Sequence, residues 1–404
     1  MMTEWKDRDH AAIMTTYNRL PITIEKGEGS YLTDVNGTKY LDLFTGLAVN
    51  ILGHSHPKII KALKNQADHF LHISNVFLNK PAIVLAEKLV KHSIEGKVFF
   101  TNSGAEATEA AIKLVHKYSK SIEQNRNGIV VLKNSFHGRT LGAIKLTRQR
   151  GVYQDFPSTA LPIYEVAPHE IEELEQIIER HQPAAVLMEP VLGSGGILPL
   201  NQTYLKEVER LCNENQVLFC MDEIQTGMGR TGTFFAYEHA EVSPDLILFA
   251  KGVGGGLPLG GLIVSDKYSD LFKPGDHGTT FAPSPLSAAL GSEVIDILIE
   301  DEMLEKGKKA SEKLWQELSN IKSDFPDLIE EIRGIGMMVG IVMNLEAGSV
   351  KSIQRNLLQA GILVDVTQQT IIRLLPPLTI SNAEIHEFKK AFENELKSHK
   401  LSES

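Results

Sequence analysis

From about residue 98 to residue 251 the chain repeats one pattern: a short apolar run, a loop of small or charged residues, then a stretch with helical spacing. Val98-Phe99-Phe100 leads into Ser103-Gly104-Ala105-Glu106, after which Ala107, Ala110, Ala111, Leu114, Val115 and Tyr118 recur on one helical face. Ile129-Val130-Val131-Leu132 leads to Phe136-His137-Gly138-Arg139, and Ala184-Ala185-Val186-Leu187-Met188 leads to Glu189. Val217-Leu218-Phe219-Cys220-Met221 ends at Asp222, and Leu246-Ile247-Leu248-Phe249-Ala250 ends at Lys251. Runs that are short, apolar throughout and closed by polar residues fit buried strands better than helices. Strands alternating with helices predict an α/β fold, a mostly parallel sheet covered by helices on both faces.

The flanks read differently. An Asn36-Gly37 turn between Tyr31-Leu32 and Tyr40-Leu41-Asp42-Leu43 predicts a hairpin. Helices are expected from about Pro57 to Phe70 and from Pro81 to His92, each with proline in its first turn. Ser103 and Glu106 predict a capping box, and the glutamates around Ile171 to Arg180 a solvated helix face. Around residue 290 the texture changes: a long helical stretch, interrupted in places, runs from about Ser284 to Leu318. Strands follow at Ile332 to Gly340, Ile362 to Asp365 and Ile371 to Leu375, and a helix from Asn382 to Lys397 closes the chain. The pattern predicts a large domain over residues 55–290 and a smaller α+β domain over 291–404, which the N-terminal segment, 1–54, would join.

Composition narrows the classes. A net charge of -10 and a pI near 5.8 argue against a nucleic-acid partner. Two cysteines, Cys212 and Cys220, supply no disulfide framework and fit a reducing compartment. The charged opening, Met1 to His10, has no apolar segment of a signal peptide, and no uncharged apolar run approaches bilayer length. A soluble, cytoplasmic protein with no membrane contact is expected. His54-Ser55-His56 marks no third ligand, so no metal site is expected.

In an open parallel sheet, ligands sit beyond the carboxyl ends of the strands. Asp222 and Lys251 would therefore emerge side by side at one crevice. A carboxylate and an amine so delivered suggest pyridoxal phosphate, which attaches to a lysine and needs an acid to hold its ring nitrogen protonated. Either residue alone reads more simply as a solvated strand end; further features lift the pair. Ser103, Gly104 and Ala105, between a strand and a helix start, could bring free amides to an anion. Phe136 could lie on an aromatic ring, and Arg139 suits a substrate carboxylate. Gly252 to Gly261 only loosely matches a dinucleotide loop, because Pro258, Gly260 and Gly261 deny a helix directly after it. Glycines there would give clearance at a crowded site. Thr279 and Thr280 offer hydroxyls for a phosphate, and Arg373 a second guanidinium.

With these residues on view, the chain resembles the class III, ornithine-type aminotransferases of fold type I over nearly its whole length. The resemblance is carried by Asn102-Ser103-Gly104-Ala105-Glu106-Ala107, Ser135-Phe136-His137-Gly138-Arg139-Thr140, Asp222-Glu223-Ile224-Gln225-Thr226-Gly227 with Gly229-Arg230-Thr231-Gly232, and Ala250-Lys251-Gly252. Leu20-Pro21-Ile22, Leu47-Ala48-Val49-Asn50 and Arg373-Leu374-Leu375-Pro376-Pro377-Leu378 make it most similar to the acetylornithine and succinylornithine branch. The resemblance implies a seven-stranded type of sheet and a large domain that binds pyridoxal 5'-phosphate. It implies that Lys251 carries the cofactor, Asp222 pairs with the pyridine nitrogen and Gln225 meets the ring hydroxyl. Phe136 would stack on the ring, Ser103, Gly104 and Ala105 would surround the phosphate, and Thr280 would reach the phosphate of a neighbouring subunit in a homodimer with shared sites. Arg139, with Thr279 beside it, would bind the distal carboxylate of substrate, and Arg373 the α-carboxylate of glutamate or 2-oxoglutarate.

The implied reaction moves the terminal amino group of N-acetylornithine, or a related N-acyl or ω-amino acid, to 2-oxoglutarate, giving a semialdehyde and glutamate. Ornithine, 4-aminobutyrate or another ω-amino donor is the alternative within the class, and a scaffold that binds cofactor without turnover the alternative outside it. Two departures bear on the donor. Ser194 stands where many relatives carry a glutamate that neutralises the second arginine, which predicts an uncompensated Arg373. Phe281-Ala282-Pro283-Ser284-Pro285 also replaces the usual loop after the threonines.

Overall fold

The computed structural model describes residues 2–122, 126–156 and 160–403. Its centre is a seven-stranded sheet. In spatial order the strands are Gly96–Thr101, Gly260–Ser265, Leu246–Ala250, Leu218–Asp222, Ala185–Met188, Ile129–Leu132 and Ile163–Val166. All run parallel except Gly260–Ser265, which is antiparallel to both of its neighbours.

Alternation along each strand explains why both faces are covered. Leu218, Cys220, Leu246 and Leu248 point into one apolar cluster, built with Ala107, Ala110, Ala111 and Leu114 of the helix Gly104–Ser121. Phe219, Met221, Ile247 and Phe249 point into the other, built with the helices Lys80–Lys91, Ile171–His181, Gln202–Glu214 and Pro285–Ile299. A strand with two buried faces has no polar position to spare, which is why these runs are apolar throughout. Each fully buried leucine or isoleucine contributes about 1.5–3 kcal/mol. Cys212 and Cys220 are free thiols in this core, and burial pushes both well above their ordinary range.

The hairpin expected around Asn36-Gly37 forms as Tyr31–Asp34 with Lys39–Asp42, extended by Ile24–Glu28. Its fourth strand is Ile362–Leu363, which pairs in parallel with Lys39–Asp42. A second four-stranded sheet has the order Ile329–Ile335, Met338–Met343, Ile371–Leu374, Asp365–Thr367. The run read as one strand from Ile362 to Asp365 is thus two, its halves in different sheets. The helical stretch from Ser284 to Leu318 is also two elements, Pro285–Ile299 and Met303–Asp324, turned at Glu302 with a left-handed φ of 56°. Residue 290 lies inside the first, which packs on Pro57–Ala67 and Lys80–Lys91. Among the described residues no helix is long and apolar enough to cross a membrane.

Candidate active site

The strands ending at Asp222 and Ala250 are parallel neighbours, with Asp222 opposite Leu248. The second strand therefore runs two residues further before Lys251, which turns away at a left-handed φ of 52° into the short helical turn Lys251–Gly254. Both side chains reach one cavity of about 450 Å³ beyond the strand ends. Ser103, Gly104, Ala105, Phe136, Arg139 and Gln225 line it too, joined by His137, Glu189, Ser194 and Leu257.

Each wall has a local cause. Ser103 caps the helix Gly104–Ser121, its Oγ accepting from the Glu106 amide at 3.2 Å. The reciprocal half of the expected capping box does not form: Glu106 Oε2 accepts from the amide and side chain of Asn102, at 2.7 and 2.9 Å. Gly104 and Ala105 supply the first helical amides, which have no intrahelical carbonyl to bond. A Cβ at Gly104 would stand 2.9 Å from Ile224 Cδ1, and one at Gly260 would stand 2.9 Å from the Ser103 carbonyl. Only glycine lets the Asp222 loop and the antiparallel strand close on the helix start this tightly.

The Phe136 loop is clamped from below. Glu189, at the end of its strand, accepts from the amides of Phe136 at 2.9 Å and Gly193 at 3.2 Å. The Thr147 hydroxyl accepts from the His137 amide and lies 3.0 Å from the Gly138 carbonyl. Arg139 is exposed, with its guanidinium 5.6 Å from the centre of the Phe136 ring.

Electrostatics centre on buried groups. His137 Nδ1 lies 2.6 Å from Asp222 Oδ2, and Asp222 Oδ1 accepts from the Ile224 amide at 3.1 Å. Burial pushes the Glu189 carboxyl up to about 7; His137 and the two amides oppose this and the Asp222 charge adds to it. Lys251 keeps part of its surface open to the cavity. Burial nonetheless pulls its ammonium down to about 8; Asp222 and Glu189 oppose the shift and Arg373 reinforces it.

Three expected residues lie off the cavity of their own chain. Thr279 Oγ1 accepts from Asn102 Nδ2 at 3.0 Å, and Thr280 is exposed. Arg373 is buried, and it is not uncompensated as the serine at 194 implied. Asp365, directly opposite across the strand pair, accepts from its Nε at 2.8 Å and also from Nη2. His137, Glu189 and Asp365 went unassigned by sequence reasoning. The first two sit in or beside the motifs at the strand ends. No local signal marks the third, whose partner is set by sheet register. His54 Nε2 meets Asp42 Oδ2 at 2.8 Å, and among the described residues no cluster of three or more His, Cys, Asp or Glu could hold a metal.

A buried amine of depressed basicity and an anchored carboxylate at adjacent strand ends, beside a helix N-terminus, define a site for pyridoxal-phosphate chemistry. The sequence profile described as Aminotransferase class-III matches residues 12–396, and the chain belongs to that family. It is an aminotransferase, working on an amino donor and a keto acid, and its cofactor is pyridoxal 5'-phosphate. The acetylornithine aminotransferase of Caldanaerobacter subterraneus subsp. tengcongensis is 41% identical over 376 residues, 93% of this chain and 94% of the relative. The succinylornithine transaminase of Salmonella paratyphi B is 38% identical over 375 residues, 92% of this chain and 91% of the relative. A crystal structure of the ornithine aminotransferase of Toxoplasma gondii, with PLP at partial occupancy in its active site, matches with a TM-score of 0.94 at 27% identity, covering 100% of this chain and 96% of the other.

The residues present fit the cofactor. The cavity has the volume of a small-molecule site. Gln225 Oε1 is buried without a partner among the described residues, an acceptor suited to a ring hydroxyl. The first amides of the helix Gly104–Ser121 suit a phosphate, and Asp222 suits a protonated ring nitrogen.

Proposed function

We propose that this enzyme transfers the terminal amino group of N-acetylornithine, or a closely related N-acyl ornithine, to 2-oxoglutarate, giving the semialdehyde and glutamate, as a cytoplasmic homodimer. The observation that carries the chemistry is the Lys251 amine, drawn down to about 8 by burial, at the strand end beside Asp222. The choice of donor rests on the acetylornithine and succinylornithine relatives.

Bound pyridoxal phosphate supplies an electron sink that stabilises negative charge on the substrate carbon bearing nitrogen. Asp222, steadied by His137 and the Ile224 amide, holds the proton on the ring nitrogen. Gln225 would accept from the ring hydroxyl, the amides of Gly104 and Ala105 would hold the phosphate, and Phe136 would pack on the ring. Lys251 anchors the cofactor through Nζ. With its ammonium drawn down to about 8, Nζ is neutral often enough near pH 7 to serve as the base for the proton on the substrate carbon. Arg139, exposed at the cavity, takes a distal carboxylate, and Arg373 the α-carboxylate of the keto acid.

Two features support a dimer with shared sites. Val76, Phe77, Leu78 and Phe281 are exposed, and their segments are tied together by Asn75 Nδ2, which donates to the carbonyls of Thr279 and Ala282 at 2.9 and 3.1 Å. An apolar patch of this kind suits a second copy of the chain, and Thr280 stands on it. The test is kcat/KM for N-acetylornithine, N-succinylornithine, ornithine and 4-aminobutyrate with 2-oxoglutarate. Acylated donors are expected to lead; equal or better turnover of free ornithine or 4-aminobutyrate overturns the assignment.

A further inference from the structure

We propose that Asp365 is a positioning residue that determines specificity: by fixing a counter-charge on Arg373, it limits how strongly the site holds a carboxylate at the reacting end of a substrate. The inference rests on the function proposed above.

Arg373 lies on the strand Ile371–Leu374, between Met338–Met343 and Asp365–Thr367, and its side chain is 7% exposed. Asp365 stands opposite it in the antiparallel register, and a single oxygen, Oδ2, accepts from both Nε and Nη2. Nη1 is buried and has no partner among the described residues. The Nε–Nη2 edge of the guanidinium is thus covered, and its Nη1–Nη2 end is left for an anion. Its charge reaches the active site, being among the causes that lower the Lys251 ammonium.

The counter-charge cannot readily withdraw. It is fixed by strand pairing, and the adjoining turn is fastened to the cavity wall: the Ser194 carbonyl accepts from Thr367 Oγ1 at 3.1 Å and Gln368 Nε2 at 2.8 Å. Ser194 itself lines the cavity and brings no charge.

Two consequences follow from elementary electrostatics. A carboxylate arriving at Arg373 finds the Nε–Nη2 edge already taken by Asp365, and only the Nη1–Nη2 end is left to bind it. It also meets a pair whose net charge is close to zero. A primary ω-amine, whose reacting carbon bears no carboxylate, brings no anion and so does not confront an unpaired buried cation. Asp365 therefore favours ω-amino donors over α-amino acids at the cost of a looser hold on the dicarboxylate acceptor.

The test compares wild-type and Asp365→Asn holoenzyme, with Asp365→Ser as a second variant should the first not fold. Binding of glutarate, an unreactive dicarboxylate, is measured by calorimetry, and KM is measured separately for 2-oxoglutarate and N-acetylornithine. Loss of the carboxylate should tighten glutarate about tenfold and lower the 2-oxoglutarate KM comparably, while the donor KM rises several-fold. Unchanged glutarate binding, or both KM values rising together as a merely structural residue would cause, overturns the proposal. If the wild-type enzyme turns over no ω-amino donor with 2-oxoglutarate, the function proposed above falls, and the glutarate titration still decides the role of Asp365.

Discussion

The depressed basicity of Lys251 yields a quantitative test in protein stripped of cofactor. With its ammonium at about 8, roughly one Lys251 in ten is neutral at pH 7, against roughly one in three thousand for an ordinary lysine. Its nucleophilic fraction is therefore enriched about 300-fold. The assay is competitive labelling with a small amine reagent from pH 6 to pH 11, with modification of Lys251 read by peptide mass spectrometry. A midpoint near 8 is expected, and a midpoint at about 10 or above refutes the reasoning. The charges nearby give the signs. Asp222 raises the Lys251 value, so Asp222→Asn should move the midpoint down; Arg373 lowers it, so Arg373→Gln should move it up. Either shift in the opposite direction sinks the electrostatic assignment.

The same displacement bears on stability. Between about 8 and 10.5 the folded apo-protein holds fewer protons at this residue than the unfolded chain does. Stability should therefore climb as pH rises through that window, and the full penalty applies below it. The shift corresponds to about 3 kcal/mol, an upper figure because part of the side chain faces the open cavity. Lys251→Met should relieve the penalty at pH 7 and flatten the dependence of urea unfolding between pH 8 and 10.5. An unchanged slope in the variant contradicts the burial argument.

Three further outcomes test the rest of the site. Thr280→Val should weaken cofactor binding about tenfold, although Thr280 does not line the cavity of its own chain; unaltered affinity by fluorescence titration rules out the shared-site reading. Gly104→Ala forces a Cβ to 2.9 Å from Ile224 Cδ1, so it should cost about 1–3 kcal/mol in chemical unfolding and weaken the phosphate grip; a variant with native stability and affinity counts against the close approach. Arg139→Lys keeps the charge but loses the planar fork, so the KM for dicarboxylate should rise about tenfold while kcat changes little; an equal fall in kcat assigns Arg139 another role.

The strands and the juxtaposition of Asp222 and Lys251 were readable because each rests on local pattern plus one topological rule. A strand buried on both faces must be apolar at every position, so Leu218–Asp222 and Leu246–Ala250 stand out without knowledge of their neighbours. Parallel neighbours deliver their carboxyl ends to one edge, which brings Asp222 and Lys251 together. Two strands lacked that signature. Among the described residues Ile163–Val166 pairs only with Ile129–Leu132 and is half-exposed for most of its length, as an edge strand is. Gly260–Ser265 hides in a glycine-rich stretch that reads as loop. Its glycines serve close packing: a Cβ at Gly261 would lie 2.4 Å from the Phe99 carbonyl.

Asp365 shows where local reading stops. In the sequence it is one more polar residue closing an apolar run, and that run looks like a single strand. In the fold Ile362–Leu363 joins the N-terminal sheet, and Asp365–Thr367 crosses to the sheet of Arg373. The pairing that follows depends on the turn between Asp365–Thr367 and Ile371–Leu374, where Gln368 and Gln369 both adopt left-handed backbone, with φ of 48° and 67°. A shift of one residue in that turn would carry Asp365 to the opposite face of its strand and leave the guanidinium without its anion. Whether Arg373 has a carboxylate partner is therefore a property of strand register. Reading it from sequence requires knowing which residues face each other across the sheet, whereas a carboxylate at position 194 would have been visible in the motif itself.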